Sequence, residues 1–400
     1  MLLISYTMFP CTTKTPSSLF PFLLYSPQFF CSFFNKTPQI SRMAYSSTDQ
    51  SLQRIQESRR ITTGDEASTS ISLEEWQGWG TISPVPSMVN KVIQDLNLLE
   101  KDINAHMTFG GNHGKLTGDF KVQEDKKHRA KYASLGNSEE KIQFFSARQI
   151  ACRLLGSRGY LCQKCWLPLG DCMCSRVTMC SLWHRVRIWL YMHPKDFLRQ
   201  NNTGKLLWQV FGVHAAMLCL FGIAEHEEMM WTEFNRAGKD KVWCLYPNKN
   251  AATESVKDGI GPYLAGNQDS PSISANEDDT MHFILIDGTW SNSAAMFRRL
   301  QERAELSWKH DLRCISLNTG VSLMHRLRPQ PSWDRTCTAA AAIGLLYELQ
   351  LLPDLSSIEL NKQAEAIENA LEVLLEALTT RRLRMGRSIS RKGRHHDDIC

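Results

Sequence analysis

The chemistry in this sequence is concentrated where an apolar run ends in an acid. Residues 283–286 are Phe, Ile, Leu and Ile, and Asp287, Gly288, Thr289 and Trp290 follow them directly. Open α/β sheets place binding and reactive groups at the carboxyl ends of their strands, so Asp287 is a candidate catalytic residue. The same four residues would also make an ordinary turn, in which the aspartate caps a helix and the glycine allows a tight bend.

Four cysteines within residues 162–174 give the strongest signal for a metal. Cys162, Cys165, Cys172 and Cys174 have the spacing C-x2-C-x6-C-x-C, which predicts a tetrahedral zinc site. Four thiolate ligands leave no open position, so the zinc would be structural and would stabilise a small knuckle. The alternative is a set of unrelated free cysteines, and Cys180 lies close enough to replace one ligand. The remaining single cysteines are typical of core residues in a reducing compartment.

The segment after residue 192 contains a second group of polar residues. Asn202, Thr203, Gly204 and Lys205 resemble a nucleotide-binding P-loop only superficially, because Arg199 replaces the first glycine and a leucine replaces the final Ser/Thr. The sequence predicts instead that Asn202 and Thr203 cap a helix near Gly204, whose free amides could hold an anion. A helix start without a ligand has the same sequence.

Arginines mark the last part of the chain. His325 precedes Arg326 and Arg328, which project to one side of an extended segment and would suit two phosphate contacts. Solvated surface arginines are the alternative. Residues 381–400 form a basic tail that could be disordered, contact phosphate or act as a nuclear-import signal. The net charge of +5 is too small to indicate a nucleic-acid binder by itself.

Taken in order, these blocks resemble the DTW-domain family over roughly residues 158–352. The resemblance implies a tRNA-uridine aminocarboxypropyltransferase, which transfers the 3-amino-3-carboxypropyl group of S-adenosylmethionine to uridine N3 in tRNA and releases methylthioadenosine. It also implies a SPOUT-like fold with a trefoil knot. The alternatives are a SPOUT-like, S-adenosylmethionine-dependent RNA methyltransferase and a non-catalytic zinc-knuckle RNA-binding protein.

The resemblance also implies roles for individual residues. Asp287 would be the general base or would only shape its loop, Thr289 would contact the substrate or hold the loop, and Trp290 would stack on a base. The cofactor-binding residues would be Asn202, Thr203, Gly204, Lys205, Gly288 and Thr338, and the RNA-binding residues His193, Arg326 and Arg328. The family pattern Ser-Thr-x-Glu-Ala is replaced here by Cys-Thr-Ala-Ala-Ala at residues 337–341, so the acid is missing at Ala340.

Short apolar runs alternate with longer helical segments after residue 185. Strands are expected at 186–192, 242–246, 282–286 and 312–317, and helices at 204–221, 292–306, 338–352 and 358–378. This alternation predicts an α/β fold, with a mostly parallel sheet and helices on both faces. We expect a zinc knuckle at 158–180 on its N-terminal side and a DTW catalytic domain at 181–380, with an inserted loop at 258–280.

The first 150 residues differ from the rest. Residues 1–48 contain no Asp or Glu and are rich in Ser, Thr, Phe and Pro, which is typical of a chloroplast or mitochondrial transit peptide. If Met43 is the true start, cytoplasm or nucleus is expected instead. No membrane span is expected. Residues 49–150 are polar and predicted to be partly disordered, with one amphipathic helix at 88–107. Protein partners and oligomeric state are not fixed by the sequence.

Overall fold

A six-stranded parallel sheet forms the centre of the structure. The computed structural model describes residues 70–110, 115–246, 254–265, 279–317 and 336–388. The sheet has the order β4-β3-β7-β5-β8-β6, and every pairing between neighbours is parallel. The strands are β3 (Val186–Met192), β4 (Ala216–Leu220), β5 (Val242–Leu245), β6 (Glu254–Ser255), β7 (Met281–Asp287) and β8 (Arg313–Ser316). A separate two-stranded hairpin consists of β1 (Thr108–Gly110) and β2 (Lys115–Thr117).

Helices cover both faces of the sheet, as the alternating pattern predicts. The helices after β3 are α5 (Lys205–Phe211), α6 (Ala224–Ala237), α7 (Val256–Ala265), α8 (Trp290–Trp308), α9 (Thr338–Gln350) and α10 (Leu360–Arg384). Side chains of α5, α7, α9 and α10 pack in one core cluster with Ile188 and Leu190 of β3. Side chains of α6 and α8 pack in a second cluster with Trp189 and Tyr191. Successive residues of a strand face opposite sides, so each face of β3 supports one cluster.

The predicted helix at 204–221 is wrong, because this stretch contains a helix and a strand. Helix α5 ends at Phe211, and Gly212 follows it with a φ of 84°, a conformation that favours glycine. The chain then enters β4, whose five residues are all buried. A short apolar run that is buried on both sides shows no alternation of polar and apolar residues, so its sequence does not distinguish a strand from a helix. Helix α6 is absent from the sequence prediction.

The N-terminal region is more ordered than the sequence predicts. Residues 70–157 form α1 (Leu73–Gly78), α2 (Ser87–Asp102), the β1–β2 hairpin, α3 (Gly118–Ser134) and α4 (Ser138–Ser157). Helix α2 confirms the amphipathic helix, although it begins and ends slightly earlier than the range 88–107. The expectation of partial disorder is wrong for these residues, because their apolar side chains join the first core cluster. Residues 1–69, with the proposed transit peptide, lie outside the described residues.

Two further boundaries differ from prediction. Residues 256–265 form α7, so the predicted inserted loop at 258–280 begins with a helix. Helix α10 extends to Arg384 and therefore includes the start of the predicted basic tail. Within the described ranges, no helix is both long and apolar enough to cross a membrane.

Candidate functional site

Asp287 lies at the carboxyl end of β7, at the centre of the sheet. Met192 of β3 is its partner in register, and the backbone N–H of His193 donates to the Asp287 carbonyl at 2.8 Å. Strands β3 and β7 are neighbours in the sheet. After β3 the chain continues to β4, on one side of this pair, and after β7 it continues to β8, on the other side. Neighbouring strands whose connections diverge in this way open a crevice at their carboxyl ends, which is where open α/β sheets bind ligands.

The Asp287 carboxylate connects three segments of the chain. It is 7% exposed. Its Oδ2 accepts a hydrogen bond from Asn202 Nδ2 at 2.7 Å, and its Oδ1 accepts one from Thr338 Oγ1 at 3.1 Å. A Cβ atom at Gly204 would lie 2.3 Å from Oδ2, so only glycine allows the carboxylate to approach this closely. Residues that follow β3 and β8 in the chain, Asn202 and Thr338, therefore meet at the buried carboxylate that ends β7.

Helices α5 and α9 both begin beside this carboxylate. Asn202 Oδ1 accepts the N–H of Lys205 at 3.0 Å and so caps α5, as predicted. Thr203 Oγ1 accepts the N–H of Ala339 at 3.3 Å and so caps α9 instead. Because helix amino ends carry partial positive charge, they stabilise the ionised carboxylate between them. The anion predicted near the start of α5 is therefore, in this structure, a side chain of the protein itself.

Lys205 does not line this site, contrary to the sequence prediction. Its side chain is fully buried, and Nζ donates to the carbonyl of Gln200 at 2.6 Å. The same ammonium lies 5.9 Å from the ring centre of Trp166, on the side of the cysteine cluster. Burial lowers the pKa of Lys205 to about 7. Lys205 therefore stabilises the loop through its hydrogen bond to Gln200, and it cannot reach a ligand carboxylate or phosphate in this conformation.

Gly288, Thr289 and Trp290 form the turn from β7 into α8. A Cβ at Gly288 would lie 3.1 Å from Met296 Sδ and 3.4 Å from His193 Cβ, so the turn packs tightly. Thr289 is the N-cap residue of α8, and its Oγ1 lies 3.0 Å from the hydroxyl of Ser291. Trp290 is half-buried as the first residue of the helix. The turn thus places a hydroxyl and a half-buried indole next to the carboxyl end of β7.

His193 is a neutral group at the edge of the crevice. It is buried and stacks on Phe221 at a ring distance of 5.8 Å. Burial lowers the pKa of His193 to about 4, and Nδ1 accepts the N–H of Lys195 at 3.1 Å, so the ring proton lies on Nε2. His193 can therefore donate one hydrogen bond but carries no charge for a phosphate at neutral pH. Arg326 and Arg328, the other predicted RNA contacts, lie outside the described residues.

The four predicted zinc ligands converge on one point. All four Sγ atoms lie within 4.8 Å of one another. The neighbouring pairs Cys162–Cys174, Cys162–Cys172 and Cys165–Cys172 are 3.6, 3.5 and 3.8 Å apart. Zinc–sulfur bonds of about 2.3 Å in a tetrahedron place the sulfurs about 3.8 Å apart, whereas a disulfide needs about 2 Å. The cluster therefore has the dimensions of a metal site with four thiolate ligands. Cys180 is outside it, and its thiol contacts the carbonyl of Ser181.

The cysteine knuckle is tied to the crevice through Arg381. The Arg381 guanidinium pairs with Asp171 of the knuckle at 3.1 Å and contacts the Tyr160 hydroxyl at 3.1 Å. It also donates to the side-chain oxygen of Gln200, in the loop that carries Asn202. Arg381 thus connects the knuckle, the loop and α10 and is half-buried, so it is not part of a solvated tail. The metal site can thereby influence the position of Asn202 at a distance.

Sequence reasoning missed two buried charges beside the crevice. Asp196 lies shortly after the end of β3, and Asp287 is the last residue of β7. An acid near the carboxyl end of a strand is therefore the signal that could have identified Asp196. Arg153 lies in α4 among the apolar residues Ile150, Ala151 and Leu154, and a charge on the apolar face of a helix is a comparable signal. Arg153 is 8% exposed and Asp196 is 3% exposed.

Comparison with known proteins assigns the chain to a family. No solved structure matches it significantly. A family model described as DTW domain matches residues 159–383, which is more than half of the chain. The match includes the cysteine cluster, all six strands of the parallel sheet and the Asp287 turn, while α1 to α4 precede it. With its knuckle, its sheet and its acid turn all inside the matched range, the chain belongs to the DTW domain family.

Proposed function

We propose that the protein is a tRNA-uridine aminocarboxypropyltransferase. Its family includes such enzymes. In the proposed reaction, uridine N3 attacks the γ-carbon of the methionyl group of S-adenosylmethionine. The N–C bond forms as the C–S bond breaks, the sulfur keeps the electron pair and leaves as methylthioadenosine, and N3 loses its proton. A displacement of this kind depends mainly on alignment of the nucleophile with the sulfonium carbon.

The observation that carries the proposal is the buried Asp287 carboxylate at the point where strand connections diverge. It holds Asn202 and Thr338 at the mouth of the crevice, while Gly288 keeps the turn narrow. Such a fixed arrangement can orient two substrates without moving during the reaction. Trp290 at the rim is the candidate for stacking on the uridine or the adenine. A SPOUT-like arrangement of the cofactor at this edge is part of the same proposal.

Asp287 can act in two ways, as the base that takes the N3 proton or as the anchor of the crevice. The geometry favours the anchor, because both carboxylate oxygens already accept hydrogen bonds from side chains of the protein. Asp287→Asn preserves the shape and removes the charge. A base would lose about 10²- to 10⁴-fold in turnover, with a flattened pH–rate profile. An anchor would lose affinity for S-adenosylmethionine and keep its pH dependence.

The cysteine cluster fits a structural zinc ion in this scheme. Four thiolates complete a tetrahedron, so a zinc ion held by them offers no position for a substrate. Its contribution is to fold the knuckle and, through Arg381 and Gln200, to hold the loop that carries Asn202. The proposed RNA partner is tRNA, which is the substrate of the proposed reaction.

The proposed function is tested by its products. Full-length protein is incubated with unmodified tRNA and S-adenosylmethionine, and nucleosides and by-products are identified by mass spectrometry. Methylthioadenosine and 3-(3-amino-3-carboxypropyl)uridine are the expected products. S-adenosylhomocysteine with a methylated base would show a methyltransferase instead. Binding of tRNA without either product would show an RNA-binding protein, the outcome that the missing acid at Ala340 would explain.

A further inference from the structure

Two buried charges beside the crevice each have a polar atom without a hydrogen-bond partner. Within the described part of the chain, nothing bonds to Arg153 Nη1 or to Asp196 Oδ2. Both side chains are more than nine-tenths buried. A buried polar atom without a partner costs about 1–3 kcal/mol, and more when it is charged, so such atoms usually mark a place that something else completes.

Asp196 lies next to the Asp287 turn, and Arg153 lies on α4, which contacts His193. Asp196 donates its N–H to the His193 carbonyl at 2.8 Å, and His193 in turn donates to the Asp287 carbonyl at 2.8 Å. Arg153 lies two helical turns after Phe145 on α4, and the Phe145 ring is 6.5 Å from His193. Asp196 therefore lies beside the end of β7, and the Arg153 charge acts on both His193 and Asp196.

The charges of the two groups are opposite, and the two groups do not pair with each other. Asp196 pairs through Oδ1 with Arg199, and Arg153 forms no ion pair with any residue that the structure describes. Burial and the nearby Arg199 lower the pKa of Arg153 to about 10, while the Asp196 charge acts in the opposite sense. Arg153 is therefore still a cation at neutral pH, with Asp196 within electrostatic range.

We propose that Arg153 and Asp196 bind the amino-acid end of S-adenosylmethionine. The α-carboxylate would accept a hydrogen bond from Arg153 Nη1, and the α-ammonium would donate one to Asp196 Oδ2. The amino-acid end of the ligand carries an ammonium and a carboxylate on one carbon, so it complements a cation and an anion that lie within electrostatic range of each other. A phosphate would gain from Arg153 but would be repelled by Asp196.

This subsite rests on the proposed function and makes it more specific. The group that the reaction transfers is the one that ends in this zwitterion, so holding it fixes the γ-carbon while methylthioadenosine leaves. Arg153 also precedes the residues that match the family model. The site would thus be completed by α4, a helix from the N-terminal region.

The test compares ligands with and without the amino-acid end. Binding of S-adenosylmethionine, S-adenosylhomocysteine and methylthioadenosine to the full-length protein is measured by calorimetry for wild type, Arg153→Met and Asp196→Asn. Each variant should bind S-adenosylmethionine and S-adenosylhomocysteine with an affinity about 10- to 100-fold lower than wild type, as expected for the loss of a charged hydrogen bond. Methylthioadenosine, which lacks the amino acid, should bind each variant as it binds wild type.

Arg148→Met is the matched control, because Arg148 lies on the same helix and pairs with Glu124 and Asp125. It should leave all three affinities unchanged. Unchanged affinity of Arg153→Met for S-adenosylmethionine would overturn the subsite, and so would an equal loss for all three ligands, which indicates a structural role. Wild-type protein that binds none of the three would overturn the proposed function as well, and this result appears without any variant.

Discussion

Gly204→Ala tests the packing that defines the crevice. Gly204 has φ −59° and ψ −33°, so alanine can adopt its backbone conformation without strain. The added Cβ, however, would lie 2.3 Å from Asp287 Oδ2 and 2.7 Å from Leu190 Cδ1. Real Cβ contacts are not shorter than 3.0 Å, so the carboxylate must retreat by about 0.7 Å. That movement can stretch the 2.7 Å hydrogen bond from Asn202 to about 3.4 Å, beyond the usual range of about 2.7–3.2 Å.

The expected cost follows from three contributions. Loss of a hydrogen bond to a charged group costs about 1.5–3 kcal/mol, overpacking of Leu190 costs about 1–3 kcal/mol, and replacing glycine in a permitted conformation returns about 0.4–1 kcal/mol. We therefore expect the free energy of unfolding to fall by about 1.5–5.5 kcal/mol. Transfer activity should fall further, because the displaced carboxylate no longer positions Asn202 and Thr338.

Urea unfolding and S-adenosylmethionine binding are measured side by side with Gly136→Ala. Gly136 is exposed, and a Cβ there would have no atom within 4 Å. The control should therefore be as stable and as active as wild type. If Gly204→Ala equals the control in both measurements, Asp287 does not pack against the start of α5 and the described crevice is incorrect.

Three other predictions concern the knuckle and the core. Removal of metal with a chelator should lower the Tm by about 10 °C, because the knuckle loses several kcal/mol of folding free energy. An unchanged melting curve would exclude a metal in the cysteine cluster. Arg381→Met should lower the free energy of unfolding by about 1.5–3 kcal/mol in urea titrations, since it removes the charged hydrogen bonds to Asp171 and Gln200 while Arg384 still pairs with Asp171; Arg387→Met, at an exposed position, is the control. Burial lowers the pKa of His226 from 6.5 to about 4, so protonation favours the unfolded chain, and the stability present above pH 6.5 is lost as pH falls toward 4. At pH 5 this loss is about 2 kcal/mol, and wild type should therefore show a steeper fall between pH 7.5 and 5 than His226→Gln; parallel curves would contradict a neutral buried imidazole.

Local sequence predicted the sheet well and the N-terminal region poorly. Runs such as 186–192 were recognisable because a parallel strand is buried on both faces. The same property caused the error at 204–221, where β4 resembles the continuation of a helix. The order of residues 70–157 was hidden because it depends on distant partners, such as Arg299 on α8, which pairs with Glu139 on α4 at 2.6 Å.

Some features of the candidate site also follow from the sequence, whereas others follow only from the tertiary structure. The sequence by itself determined the four-cysteine cluster, since its members are close together within residues 162–174, and it determined that Asp287 ends a buried strand. Tertiary structure alone decided that Asn202 and Thr338, 85 and 51 residues away, bond to that carboxylate. It also turned Lys205 away from the crevice and placed Arg153 within electrostatic range of Asp196. These contacts depend on strand order and helix packing, which place distant residues together without any periodic signal in the chain.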